Sequence, residues 1–87
     1  MKERLIPYGK KNICGAKIER LRKEKNMKQQ ELAARMQTMG VDISPSSLSK
    51  LEGQIRIASD IELFAISKIL KVPMEALLDD SILARQE

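Results

Sequence analysis

Ser44-Pro45-Ser46-Ser47-Leu48-Ser49-Lys50-Leu51-Glu52-Gly53 is the stretch on which the reading of this chain turns. Ser44 suits a helix N-cap and Pro45 the first helical position, so a helix is expected over residues 44–53. At about 100° per residue, Leu48 and Leu51 fall on one side, with Glu52 beside Leu48. Ser46, Ser49, Lys50 and Gly53 fall on the other. A helix needing only solubility would carry Glu, Lys, Gln and Ala on its outer face. Small hydroxyls and a lysine instead suit a surface that approaches something closely, with DNA the leading candidate. A solvated face that happens to be serine-rich would look the same in isolation, so the rest of the chain must decide.

The bulk composition narrows the choice. Eighty-seven residues make one domain with a single modest core. Tyr8 and Phe64 are the only aromatics and Val41 and Val72 the only valines, so the core is aliphatic and suits packed helices better than sheets. Cys14 is the single cysteine, which rules out an intrachain disulfide and makes a reducing, cytoplasmic setting the default. No apolar run has the length of a membrane span, and the N-terminus lacks the apolar core of a signal peptide. With no histidine in the chain, Cys14 has no base partner and no Cys/His metal cluster can form. A glycine-rich phosphate loop is also missing. The chain therefore reads as a non-enzyme with no cofactor.

Charge is unevenly spread. Residues 1–30 hold ten Lys/Arg against three Asp/Glu, whereas residues 31–87 hold six against nine. A basic N-terminal third fits contact with nucleic acid or an anionic membrane surface, and equally a solvated helix with a basic tail.

In chain order, residues 1–12 read as a basic tail, with Pro7 and Gly9 interrupting any periodicity. Leu5, Ile6 and Tyr8 are apolar enough to dock, and the lysines could reach for phosphates, but a loosely ordered end explains the segment as well. A first helix is expected from Ile13 to Lys25, with Cys14, Ile18 and Leu21 within about 60° of one another and Arg22 on the flank. Cys14 then reads as a small core residue rather than a reactive thiol. Asn26 is a plausible left-handed stop. A second helix begins at Met27 and extends to Met39, with Gln29, Leu32, Met36 and Met39 on one face and Gly40 ending it. Met27, Met36 and Met39 read as core filler, and Val41 and Ile43 should drop into the core from the connector.

After the loop at residues 54–58, Ser59-Asp60-Ile61-Glu62 is a capping-box signature that opens a fourth helix running to Leu70 or Lys71. That helix is apolar on two sides: Leu63, Ile66 and Leu70 on one, Ile61, Phe64, Ala65 and Ile69 on the other. Such a helix is central, or lends one face to a partner. Val72 to Leu78 reads as a short fifth helix with Pro73 in its first turn. Residues 79–87 form a short extension in which Ile82 and Leu83 could add a helical turn.

Taken together these pieces resemble the Cro/repressor-type, XRE-type helix-turn-helix family over residues 13–78. Cys14-Gly15-x-x-Ile18-x-x-Leu21-Arg22 resembles the family's first helix, and Met27-x-Gln29-x-Glu31-Leu32-Ala33 its second-helix opening. Leu48-Ser49-x-x-Glu52 and Arg56 resemble the end of the recognition helix and the loop beyond it, and Leu63, Ile66, Leu70, Val72 and Leu77-Leu78 the closing core. Four positions depart from the common pattern. Gly40 lies about one turn later than the usual glycine, as in a sub-group with a lengthened second helix and connector. Lys28 stands where a Ser or Thr cap is common, Gln54 replaces a frequent glycine, and Ala58 a frequent proline.

The resemblance implies an all-α, lambda-repressor-like bundle of five short helices, the second and third forming the helix-turn-helix. It also implies double-stranded DNA as partner, read in the major groove by residues 44–53. Pro45, Ser46, Ser47 and Lys50 would be the readers, with Ser44 and Ser49 at the margin. Gln29 is carried over as a phosphate contact, and Gln54 and Arg56 would hold the backbone from the other side. Arg22 and Glu52 would form a structural ion pair. A transcriptional regulator, a repressor, follows as the expected function, in the cytoplasm and associated with the nucleoid. Few strong readers on one protomer imply a homodimer on a two-fold operator. No small-molecule effector is expected, because no second domain is visible to hold one. The alternatives are a protein-interaction adaptor or antitoxin partner using the apolar face of helix 59–70, or a basic membrane-surface binder, which the five-helix pattern disfavours.

Overall fold

Asn12, expected to lie in the basic tail, is part of the packed body. Its side chain is buried, and Oδ1 accepts from the backbone N–H groups of Cys14 (3.1 Å) and Gly15 (2.9 Å). Those are N–H groups that a helix start leaves without partners, so Asn12 sets the start of the first helix. In the computed structural model, which describes residues 10–79, α1 is Gly15–Glu24, α2 is Gln29–Thr38, α3 is Pro45–Glu52 and α4 is Asp60–Leu70. A 3-10 helix, Met74–Leu77, follows, and no described residue is in a strand.

The elements end for a common reason. Each α-helix is stopped by one residue in the left-handed region: Asn26 (φ 55°), Gly40 (φ 89°), Gln54 (φ 65°) and Lys71 (φ 59°). After α1 the Asn26 and Met27 amides donate back to the Lys23 and Arg22 carbonyls, the paired bonds of a Schellman stop. Gly40 with Val41, and Gln54 with Ile55, repeat the pattern after α2 and α3. The starts differ more. Ser44 caps α3 by accepting from the Ser47 N–H, with Pro45 at the first position. Ser59 and Glu62 make the full reciprocal capping box of α4. Lys28 precedes α2 and makes no side-chain cap.

Ile18, Leu32, Met36, Ile43, Leu48, Leu51, Ile66, Leu70 and Leu77 are fully buried and draw every element into one aliphatic core. Cys14 lies in that core, and burial pushes its thiol up to about 11, which leaves it protonated and inert at neutral pH. α1 meets α3 at backbone distance. A Cβ on Gly15 would collide with the Leu51 carbonyl oxygen and lie 2.6 Å from that of Glu52.

Two expectations need correction. Met39 is exposed rather than core filler, because α2 ends at Thr38 and the chain turns at Gly40 before Met39 can face inward. The fifth helix is a single 3-10 turn with Pro73 before it in extended conformation. One tight turn is enough to bury Leu77 and let the chain run on to Asp79, whose N–H donates to the Ile13 carbonyl (2.8 Å). As the two-sided pattern allowed, Ile61 and Phe64 stay exposed on α4, while Ala65 and Ile69 of the same side pack against the core. The expected docking of Leu5, Ile6 and Tyr8, and a turn through Ile82 and Leu83, lie outside the described residues.

Candidate nucleic-acid interface

α3 buries Leu48, Leu51 and Glu52 and exposes Pro45, Ser46, Ser49 and Lys50, with the capping Ser44 also exposed. Helical spacing accounts for the division: the two leucines bind the helix to the core, and the positions opposite them must face out. Ser47 is half-buried and its hydroxyl lies 3.1 Å from that of Ser44, so these two serines hold each other at the helix start. Ser46, Ser49 and Lys50 keep side chains turned to solvent, and Lys50 makes no ion pair with a described residue.

Behind that surface, α3 is held by a buried ion pair. Arg22 Nε donates to Glu52 Oε2 (2.8 Å) and Nη2 to Oε1 (3.0 Å), with the two side chains only 7% and 2% exposed. Arg22 Nη1 also donates to the Met27 carbonyl (2.6 Å), closing the turn between α1 and α2. Gln29, the first residue of α2, completes the group: its Nε2 donates to Glu52 Oε1 (2.8 Å). One carboxylate thus joins α1, the start of α2 and the end of α3. The amide of Gln29 is engaged inward here, although the residue is only partly buried.

Gln54 and Arg56 are likewise engaged. Gln54 Nε2 donates to the Asn12 carbonyl (3.0 Å). Arg56 pairs with Glu62 (Nη1 to Oε1 3.0 Å, Nη2 to Oε2 2.9 Å) and stays one-third exposed. Burial pushes the Glu62 carboxyl up, but the Arg56 guanidinium and the Ser59 N–H outweigh it and hold the carboxyl below the usual range. The same contact raises Arg56 further. Glu62 therefore has two tasks, closing the cap of α4 and fixing the loop after α3.

Two of these residues escaped the sequence reading. Asn12 was hidden in a stretch without periodicity, and nothing local marks it as buried. Glu62 was legible as a cap but not as the partner of Arg56, since that pairing depends on the loop between them folding back.

An all-helical bundle in which α2 and α3 form a compact pair, with the second helix offering a thin polar and cationic outer face, is the architecture of a helix-turn-helix DNA-binding protein. A helix-turn-helix family model matches residues 18–77, and the chain belongs to that family, the XRE-type helix-turn-helix proteins. Comparison with curated proteins gave no match, and neither did comparison with solved structures. No helix among the described residues is long and apolar enough to cross a membrane.

Proposed function

We propose that the protein is a transcriptional regulator, a repressor, that binds double-stranded DNA sequence-specifically as a homodimer, each protomer laying α3 in the major groove. The observation that carries this reading is the two-sidedness of α3: Leu48, Leu51 and Glu52 are buried while Ser46, Ser49 and Lys50 stand free on the outside. In a helix-turn-helix the second helix of the pair enters the groove with its first turns nearest the base edges. Lys50 is the strongest reader, able to donate to guanine O6 and N7. Ser46 and Ser49 hydroxyls donate or accept and discriminate less. Gln29 supports the helix from behind through Glu52, and a phosphate contact for it, as for Gln54 and Arg56, would use what their inward bonds leave free. A protein seated in the groove blocks other factors at that site, which is the simplest route to repression.

One protomer presents a single lysine among serines, too little for a long recognition site, which is why we assign two copies to a two-fold operator. Ile61 and Phe64, exposed on α4, are an apolar surface available for that pairing. The same surface is what an adaptor or antitoxin reading would use, and the DNA experiment separates the two. Binding sites are selected from random DNA, and the preferred site is then compared with random duplex in a gel shift. Lys50→Ala and Ser46→Ala should weaken the preferred site more than random duplex, by about 1–3 kcal/mol for a good contact. If no site is enriched and binding is the same on every duplex, the sequence-specific reading fails.

A further inference from the structure

Arg56 is the only cation in the loop that leaves α3, and its guanidinium is committed to Glu62. A DNA strand passing the end of the reading helix would find that charge already half-answered. The structure supplies another pair of charges at the same place. The Lys11 N–H donates to the Gln54 carbonyl (2.8 Å), and Gln54 directly follows Gly53, the last position of the outer face of the helix. Asn12 next to it is fastened from both sides. Its Nδ2 donates to the Leu51 carbonyl (3.1 Å) and the Arg56 carbonyl (2.7 Å), and its own carbonyl accepts from Gln54 Nε2 (3.0 Å). Asn12 Oδ1 meanwhile holds the start of α1. The chain that enters α1 is thus stitched to the exit of α3 by four hydrogen bonds. Lys10 and Lys11, both exposed and neither ion-paired with a described residue, stand beside it.

We propose that Lys10 and Lys11 contact DNA phosphates, held at the end of the reading helix by the buried Asn12 and by Gln54. This rests on the DNA-binding reading above and adds to it a second cationic flank, on a different part of the chain from the base readers. The chemistry is that of an ammonium on a flexible stem, which answers a phosphate as a point charge without needing a fixed fork. Anchoring of the backbone at Lys11 limits the entropy lost when the side chains engage. Contacts of this kind carry no sequence information. They set register and add to the release of counterions, so their loss shows in the salt dependence of binding rather than in the preferred site.

The test is the double variant Lys10→Gln/Lys11→Gln, with Lys71→Gln as control. All three lysines are exposed, and Lys71 closes α4, which carries none of the proposed readers. Circular dichroism first shows that the variants fold and melt as the parent does. Affinity is then measured for the preferred and a random duplex across a salt series. The double variant should lower the slope of log affinity against log salt by about one to two units on both duplexes, while the ratio between them stays the same. Lys71→Gln should leave the slope unchanged. A double variant with the parent's slope overturns the proposal, as does an equal loss per charge in the control, which would mark a general effect of net charge. These outcomes are distinct from failure of the function itself, in which the parent protein shows no preferred site and no salt-dependent binding, and the inference falls with it.

Discussion

Glu52 is a buried carboxylate that three donors satisfy: Arg22 Nε and Nη2, and Gln29 Nε2. An ionised group out of water is tolerable only while those partners remain, so the cost of removing one greatly exceeds the net worth of the pair. Arg22→Ala should destabilise the fold by about 3–5 kcal/mol, a large part of what a domain of this size possesses. Urea denaturation measures it, and a midpoint equal to the parent's would show that the pair does not hold α3. Gln29→Ala should cost less, about 1 kcal/mol, since the arginine still answers the charge. That loss of stability must be corrected for before any change in DNA affinity of the Gln29 variant is read as a phosphate contact.

At the scale of elements, Gly15 shows where local propensity and packing disagree. It occupies the first position of α1, where alanine would be favoured by up to about 1 kcal/mol on helix propensity alone. The backbone of α3 leaves no room for a Cβ, because the Leu51 and Glu52 carbonyl oxygens lie against it. Gly15→Ala should therefore lower the thermal midpoint despite its better propensity, and a raised midpoint would mean that α1 and α3 can separate freely. Glu62 connects elements through charge. Its carboxyl sits below the usual range when folded, so it takes up a proton more readily in the unfolded chain. The stability it contributes is complete above the ordinary glutamate value of about 4.3 and is lost as pH falls through the lower folded value. Glu62→Gln should lower stability at neutral pH and flatten the loss of stability as pH falls below the ordinary glutamate value of about 4.3. Denaturation curves taken across that range check it, and an unchanged profile would show that Arg56 does not stabilise the charge.

At the scale of the whole molecule, two apolar side chains of α4, Ile61 and Phe64, are left outside the core. Ile61 is 64% exposed and Phe64 51%, with Lys68 lying 5.2 Å from the Phe64 ring centroid. A second copy placed by a two-fold axis would bring the same patch to both partners. Phe64→Glu places a charge in that contact without touching the buried core. Sedimentation at micromolar concentration should show the parent as a dimer, at least with DNA bound, and the variant as a folded monomer. A parent that stays monomeric with and without operator DNA removes the α4 dimer.

Much of this was legible in the sequence because it depends on neighbours along the chain. The spacing of Leu48 and Leu51, the Ser44 cap with Pro45 behind it, the Ser59–Glu62 box and the stops at Asn26 and Gly40 all follow from backbone geometry within a few residues. The stops at Gln54 and Lys71 were not legible, since neither residue type marks a left-handed turn and only the packing on either side imposes it. The ion pair of Arg22 with Glu52 was expected from the family resemblance, but the third donor, Gln29, required the α2 start to be brought against the end of α3. Asn12 is the clearest case of what tertiary structure alone decided. Its bonds reach 39 and 44 residues along the chain, to Leu51 and Arg56. A polar side chain in an aperiodic stretch carries no sign of such partners, because burial is a property of the assembled fold and not of the local sequence.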